Sequence, residues 1–192
     1  MATPAELSLG PLRLTPGFLL GAALLLLLED GYSLLCLFLA AGLCHELGHC
    51  LAARLLGLEI RSLRLSALGA ELEIPRAVSC SYPRELAVLA AGPLTNLALT
   101  MLCRNFPWTW AGTFAGANLL LACFNLLPVP PLDGGQMLRT MAEGFLPQPA
   151  GTYLADGLAG LTRALALAFG VGLALRGNPT LLLLALWLAL GQ

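Results

Sequence analysis

Long apolar runs recur along this chain and restrict its fold more than any other feature of the sequence. Several span about 19 residues, which at roughly 1.5 Å per helical residue is enough to cross about 30 Å of hydrocarbon. Hydrophobic residues make up 58% of the 192 positions and charged residues only 11%, and a soluble domain cannot bury that much apolar surface. The sequence therefore predicts an integral membrane protein in the lipid bilayer.

The apolar runs and their breaks predict an all-α polytopic membrane protein with about six transmembrane helices. The predicted spans are 16–28, 32–56, 84–103, 109–127, 152–175 and 179–191. We expect residues 1–192 to form a single integral-membrane domain with its core motifs in 43–135, because no repeat or appended soluble domain is evident. Most arginines fall in segments that this layout places inside, so both termini should be cytoplasmic, in a multi-pass protein of the plasma membrane.

Two segments between the predicted spans have patterns of their own. Residues 60–75 alternate apolar and polar side chains on both sides of Leu68 and Gly69, which predicts a small membrane-associated β-hairpin. Residues 133–147 are expected to form a short amphipathic helix near the inner surface.

The charged residues also exclude some partners and processing events. The formal net charge is −1 and the ten basic residues are scattered, so no nucleic acid partner is expected. The N-terminus lacks the positive start and cleavage site of a secretory signal. We therefore expect the first apolar run to remain in the mature protein.

The stretch LCHELGHCLAARLLG, residues 43–57, places two histidines and a glutamate inside the second apolar run. On a helix, His45 and His49 differ by about 40° around the axis, so both rings can reach one metal ion. Glu46 lies about 100° from His45, beside the metal, where it can take a proton from a water molecule. Cys44 and Cys50 point away from the histidine face. This is the HExxH arrangement of zinc hydrolases.

A second interpretation of this motif needs no metal. The imidazoles and the carboxylate could hydrogen-bond one another within a polar bundle core, on a proton path. Each ionisable group in hydrocarbon costs roughly 2.5–3.5 kcal/mol, however, so three within five residues need a strong partner. A divalent cation is such a partner.

A hydrolytic zinc site usually has three protein ligands and one open position. The chain has two histidines, so the third ligand must be a carboxylate or a thiolate. Asp133 is a candidate because it follows the proline-rich FNLLPVPP and precedes Gly134 and Gly135, which permit tight or left-handed backbone. Irregular backbone at membrane depth is tolerated mainly where it lines a cavity or is buried in protein. On local sequence alone, PLDGG is also compatible with an ordinary surface turn.

HELGH and FNLLPVPPLDGG together resemble the site-2 protease family of intramembrane zinc metalloproteases. The small six-span layout resembles the sporulation-factor-processing branch of that family, and the resemblance covers about residues 8–145. It implies one zinc ion per chain, with His45, His49 and Asp133 as ligands and Glu46 as catalytic base. It also implies substrate-binding or supporting roles for four further residues: Asn96 in GPLTN, and Asn125, Pro128 and Pro131 ahead of Asp133.

The activity implied by this resemblance is that of a zinc metalloendopeptidase. It would hydrolyse membrane-associated protein substrates within or near the cytoplasmic side of the bilayer, in regulated intramembrane proteolysis, with a regulatory membrane protein as a candidate partner.

Three other functions agree less well with the sequence than proteolysis at a zinc site. A zinc or proton transporter would use the same side chains, but it would need polar groups along a complete path, whereas here they cluster at one depth. A catalytically inactive, membrane-binding relative would have lost part of the motif, which this chain retains. A serine-type protease needs a Ser–His pair, and no serine lies in a nucleophile motif.

Overall fold

A computed structural model describes residues 7–9, 12–14, 32–58, 62–66, 69–73 and 81–177, with five further positions between 182 and 189. Its elements, in chain order, are β1 Leu7–Leu9, β2 Leu12–Leu14, α1 Tyr32–Leu55, β3 Ser62–Ser66, β4 Gly69–Glu73, α2 Tyr82–Cys103, α3 Thr109–Asn125, α4 Asp133–Phe145 and α5 Ala150–Ala174. The chain forms two compact units, Met1–Ala122 and Cys123–Gln192.

The four strands of the first unit form one sheet in the order β1-β2-β3-β4. β3 and β4 pair antiparallel, with Ser62 opposite Glu73, inside the 60–75 segment for which the sequence predicts a hairpin. β2 pairs parallel to β3, so the hairpin is extended by two strands from residues 7–14, to which we assigned no element. β1 and β4 are therefore the edge strands of the described sheet, and β4 lies next to α1.

Helices α1 and α2 pack against each other through two rows of small and polar residues spaced four apart. On α1 the buried row is Ala41, His45, His49 and Ala53. The facing row on α2 is Val88, Gly92, Asn96 and Thr100. Rows of this spacing form the ridges through which helices interdigitate, and small residues let helix backbones approach closely in membranes.

The opposite face of α1 is a row of exposed leucines. Leu39, Leu43, Leu47, Leu51 and Leu55 also recur every four residues. In a membrane such a face is in contact with lipid, so the polar histidine face must be the one that packs inward. Gly57 ends the helix with a left-handed backbone of φ 70°, a conformation that glycine adopts without steric strain.

Helix α2 also packs on α3 through a mixture of apolar and polar contacts. Cys103, Ala111 and Ala115 form a buried cluster. The hydroxyl of Thr100 donates to the carbonyl oxygens of Asn96, at 2.9 Å, and of Ala115, at 3.2 Å. The bond to Ala115 connects α2 to α3, and it matters because an unpaired polar group in an apolar interior is costly.

The second unit contains the loop 126–132 and helices α4 and α5. Val129 and Leu132 are buried in the loop, and they pack with Phe124 and Leu127. α4 agrees with the short helix predicted over 133–147, and it packs on α5. Ion pairs connect Arg139 to Glu143 at 3.2 Å and to Asp156 at 3.7 Å.

Three described helices are long and apolar enough to cross a membrane: Cys36–Leu55, Tyr82–Cys103 and Ala150–Ala174. They agree with three of the predicted spans, and the chain is a membrane protein. α3 has 17 residues, or about 26 Å of helix, which is shorter than a hydrocarbon core of about 30 Å. The predicted spans 16–28 and most of 179–191 lie outside the described residues, so the six-span layout stays a prediction.

Candidate metal centre

The two histidines of HELGH lie side by side on the inner face of α1. His45 is 5% exposed and His49 is 6% exposed, so neither ring depends on water for its hydrogen bonds. The ring centroids lie 4.7 Å apart in an edge-on arrangement. The Nε2 atoms of the two rings are 3.1 Å apart. The helical spacing predicted from the sequence thus brings the same nitrogen of each ring to one point.

The other nitrogen of each ring bonds to helix α2. The Nδ1–H of His45 donates to the side-chain Oδ1 of Asn96 at 2.5 Å. The Nδ1–H of His49 donates to the main-chain oxygen of Val88 at 2.7 Å. A carbonyl oxygen has two lone pairs, so Val88 can accept this bond in addition to a helical one. Both acceptors are oxygens, and each neutral ring therefore carries its proton on Nδ1.

This choice of tautomer determines the chemistry of the pair. With both Nδ1 atoms protonated, each neutral ring directs the lone pair of its Nε2 toward the other ring. The two Nε2 atoms lie 3.1 Å apart, and a cation can accept a lone pair from each of them. Metal-binding histidines commonly donate their other ring N–H to a carbonyl or carboxylate in this way.

The nitrogen pair fits zinc. Two nitrogen ligands at about 2.0–2.1 Å from a tetrahedral zinc ion lie about 3.3 Å from each other, and the Nε2 atoms are 3.1 Å apart. Imidazole nitrogen is also a donor that zinc prefers among protein ligands. The residues present therefore suit this ion without a large rearrangement.

Asn96 is oriented by two hydrogen bonds of its own. Its Nδ2 donates to the main-chain oxygen of Ala41 at 3.2 Å and to Oδ1 of Asn118 at 2.8 Å. Asn96 and Asn118 are both fully buried. The resemblance implies a substrate-binding or supporting role for Asn96, and the structure brings its side-chain amide to His45.

Glycines allow α1 and α2 to approach closely at the histidines. A Cβ atom on Gly92 would lie 2.3 Å from Nε2 of His49 and 2.7 Å from Cε1 of His45. A Cβ atom on Gly48 would lie 2.8 Å from the carbonyl oxygen of Ala91. Any side chain at either position would push the helices or the rings apart. Pro93 follows Gly92 directly, and helix α2 continues through it.

Glu46 follows His45 on α1 and is half-buried. Cys44 and Cys50 flank the motif as free, half-buried thiols. The five cysteines in the described part of the chain are all free, as expected for thiols that behave as small hydrophobic residues.

In the second unit, the remaining predicted site residues lie in one continuous segment. Asn125 is the last residue of α3 and is half-buried, as is Pro128, whereas Pro131 is exposed. Asp133 is half-buried in the first turn of α4. A carboxylate is stabilised there because the helix dipole is positive at its N-terminus.

The two glycines after Asp133 act through close approach rather than through left-handed backbone. A Cβ atom on Gly134 would lie 2.3 Å from the carbonyl oxygen of Leu126, and one on Gly135 would lie 2.3 Å from the backbone of Val129. Neither is among the glycines of positive φ, which are Gly57 and Gly177 in the described part of the chain. Of the tight and the left-handed backbone that the sequence allowed here, the tight one is observed, because the loop folds back onto the first turn of α4.

Comparison with known proteins shows that the chain is similar to one family of peptidases. The profile of Peptidase family M50 matches residues 103–169, which include the proline-rich segment and Asp133. The site-2 protease from Methanocaldococcus jannaschii has a solved structure that superposes with a TM-score of 0.70 at 25% sequence identity. The match covers 95% of this chain and 90% of that one. The chain is similar to the site-2 proteases of peptidase family M50. The resemblance found in the sequence is confirmed.

Two curated proteins that are similar to this chain are longer than it. Rip3 of Mycobacterium tuberculosis, which carries the name of a zinc metalloprotease, is 36% identical over 121 residues, or 54% of this chain and 29% of Rip3. Stage IV sporulation protein FB of Bacillus subtilis is 34% identical over 136 residues, or 66% of this chain and 46% of the relative. The chain thus spans less than half the length of either relative.

The sequence did not predict three residues that contact or orient the histidines: Val88, Gly92 and Asn118. Val88 contributes a main-chain oxygen, which no side-chain motif reveals. Gly92 belongs to the GPLTN element. A glycine within a membrane helix is itself a signal for a close approach of another helix. Asn118 is an amide within an apolar helix, and such a polar residue in a membrane span indicates a buried partner.

Proposed function

We propose that this protein is a site-2 protease, an intramembrane zinc metalloendopeptidase that cleaves membrane-associated protein substrates. One observation carries the proposal. The Nε2 atoms of His45 and His49 converge to 3.1 Å while both Nδ1 atoms bond to oxygen acceptors on α2. This arrangement suits a bound cation, and it occurs in the HExxH motif of a chain from a peptidase family.

The proposed zinc ligands are His45, His49 and Asp133, holding one ion per chain. Each of these residues offers one nitrogen or oxygen donor. Two imidazoles and one carboxylate match the ligand set of hydrolytic zinc sites, which leave a fourth position for water. The loop before α4 contacts Gly134 and Gly135. This contact determines where α4 begins, and Asp133, in the first turn of α4, is held there, which suits a metal ligand.

A bound zinc ion supplies a Lewis acid that activates water and polarises the scissile carbonyl. Glu46 takes the proton of the attacking water on its carboxylate and passes it to the leaving amine. Its place beside His45 keeps the base close to the reacting water without using it as a ligand. Asn96 holds the ring of His45, and it acts on the reaction only through that ring.

The proposed substrate site uses free backbone hydrogen-bonding groups. A helical substrate must unwind before attack, and its freed N–H and C=O groups then need partners. β4 is an edge strand of the described sheet and lies next to α1, so it can pair with an extended substrate. We assign substrate binding at the other side of the scissile bond to Asn125, and we assign Pro128 and Pro131 the role of shaping its loop.

The proposed setting is the plasma membrane, with both termini in the cytoplasm. Six spans would form if α3 and the segments 16–28 and 179–191 cross the bilayer with the three long helices. The chain would then be a single membrane domain, and β3 and β4 would lie at its cytoplasmic surface. A regulatory membrane protein is the partner expected for a protease of this kind.

The test is Glu46→Gln in purified protein, assayed with a panel of single-span substrates and by zinc analysis. We expect cleavage to fall by at least about 100-fold, since general base catalysis contributes about 10²–10⁴-fold, while zinc content stays at the wild-type level. Glu143→Gln is the matched control because Glu143 pairs with Arg139 on α4. Cleavage by Glu46→Gln at the wild-type rate would contradict the mechanism, and loss of zinc would identify Glu46 as a ligand.

A further inference from the structure

We propose that Asn118 is a positioning residue that sets the tautomer of His45 through the side chain of Asn96. The inference rests on the proposed zinc site, in which His45 binds through Nε2. Three residues from three helices form this chain of hydrogen bonds: His45 on α1, Asn96 on α2 and Asn118 on α3. Asn118 has no place in the zinc coordination itself.

The orientation of the Asn118 amide is determined by its own helix. Its Nδ2 donates to the main-chain oxygen of Phe114 at 2.8 Å. That bond turns Oδ1 toward Asn96, where it accepts from Nδ2 at 2.8 Å. Reversing the amide would direct its donor group at the donor group of Asn96 and its oxygen at the oxygen of Phe114. One orientation is therefore favoured by both contacts.

Asn96 carries this preference to the histidine. Its two donor positions are taken by Asn118 and by the main-chain oxygen of Ala41, and Oδ1 is left for His45. An oxygen at that point accepts a proton from Nδ1, so the neutral ring keeps its lone pair on Nε2. A reversed Asn96 would donate to Nδ1 and move the proton to Nε2, which blocks metal binding there.

The bond to Asn118 is the shorter of the two that orient Asn96. It measures 2.8 Å, against 3.2 Å for the bond to Ala41. Both residues of the amide pair are fully buried, so water does not replace the bond when it is lost. Without Oδ1 of Asn118, the Asn96 amide keeps the longer bond alone and becomes free to reverse.

His49 is an internal control for this effect. Its Nδ1 donates to the main-chain oxygen of Val88, which has no alternative orientation. A change at Asn118 should therefore alter His45 and leave His49 unaffected. The chain has two histidines, so selective ¹⁵N-histidine labelling reports on these two rings alone.

The experiment compares wild type with Asn118→Leu, which keeps the branching of the side chain at Cγ and removes the acceptor. In metal-free protein we expect the ¹⁵N signals of His45 to shift toward the Nε2-protonated form, with His49 unchanged. Zinc affinity should fall about 10-fold to 100-fold, the usual effect of losing an outer partner of a metal ligand. Thr100→Val is the matched control. It removes a buried bond between α2 and α3 and leaves the hydrogen bonds of the Asn96 side-chain amide in place.

Asn118→Asp is the conservative variant. Its carboxylate still accepts from Asn96, so we expect the wild-type tautomer of His45. Where Asn118→Leu does not fold, Asn118→Ala removes the same acceptor. Wild-type histidine spectra and zinc affinity in the folded Leu or Ala variant would overturn the proposal, and so would an equal shift in Thr100→Val. If the tautomer shifts as expected while wild type binds no zinc, the positioning role stands and the proposed function fails.

Discussion

Replacement of Gly92 by alanine is the most direct structural test of the histidine site. The new methyl carbon would lie 2.3 Å from Nε2 of His49, 2.6 Å from its Cε1 and 2.7 Å from Cε1 of His45. Ordinary contacts begin at 3.4 Å. The atoms must therefore separate by about 1 Å, and the displaced atoms include the nitrogen that we assign to zinc.

Neither way of making that space preserves the site. If α2 moves away, Val88 moves with Gly92, and the 2.7 Å bond to Nδ1 of His49 is broken. If the ring swings instead, Nε2 leaves its position 3.1 Å from Nε2 of His45. Zinc sites tolerate about ±0.2 Å in ligand distance, so a shift of 1 Å is several times too large. We expect zinc affinity to fall by about 100-fold, the upper end for a disturbed ligand shell.

The assay is a zinc titration against a competing chelator, with cleavage of a single-span substrate measured on the same samples. Gly42→Ala is the matched control, because Gly42 lies on α1 one turn before the motif and a Cβ atom there meets nothing within 4 Å. Alanine favours helix over glycine by up to about 1 kcal/mol, so this variant should keep zinc and activity. Wild-type zinc affinity in Gly92→Ala would refute the packing described for α1 and α2, as would an equal loss in Gly42→Ala.

Three further predictions concern the other residues of the site. Asp133→Ala should lower zinc occupancy in metal analysis. Glu143→Ala, which removes an ion pair on the same helix, should not lower it. Equal occupancy in the two variants would mean that PLDGG is an ordinary turn and that Asp133 is not a ligand. Cys44→Ala and Cys50→Ala should keep bound zinc within about twofold by the same analysis, since neither thiol lies on the histidine face, and loss of zinc would show that a thiolate is a ligand. Proline at positions 70, 71 and 72 of β4 should impair cleavage where the N–H points to the open edge and impair folding where it points to β3. Expression and zinc content separate these two effects, and cleavage that survives all three substitutions would exclude the edge as the substrate site.

Features that depend on near neighbours in the chain could be predicted from the sequence. The helix predicted over 32–56 is observed over Tyr32–Leu55, because a continuous apolar run determines it locally. The common face of His45 and His49 follows from helical geometry alone. The break between α3 and α4 follows from prolines that lack a donor for helix hydrogen bonds. In each case the physical cause acts over a few residues.

Contacts between distant segments were decided by the tertiary structure. No local pattern in residues 7–14 indicated the strands that pair with β3. The proton positions on the two histidines depend on Asn96 and on the carbonyl of Val88, which are 51 and 39 residues away in sequence. Asn118 joins them only because α3 packs on α2. A histidine motif indicates which atoms can bind a metal, but the tautomer that makes those atoms available is set by oxygens that helix α2 brings to the rings.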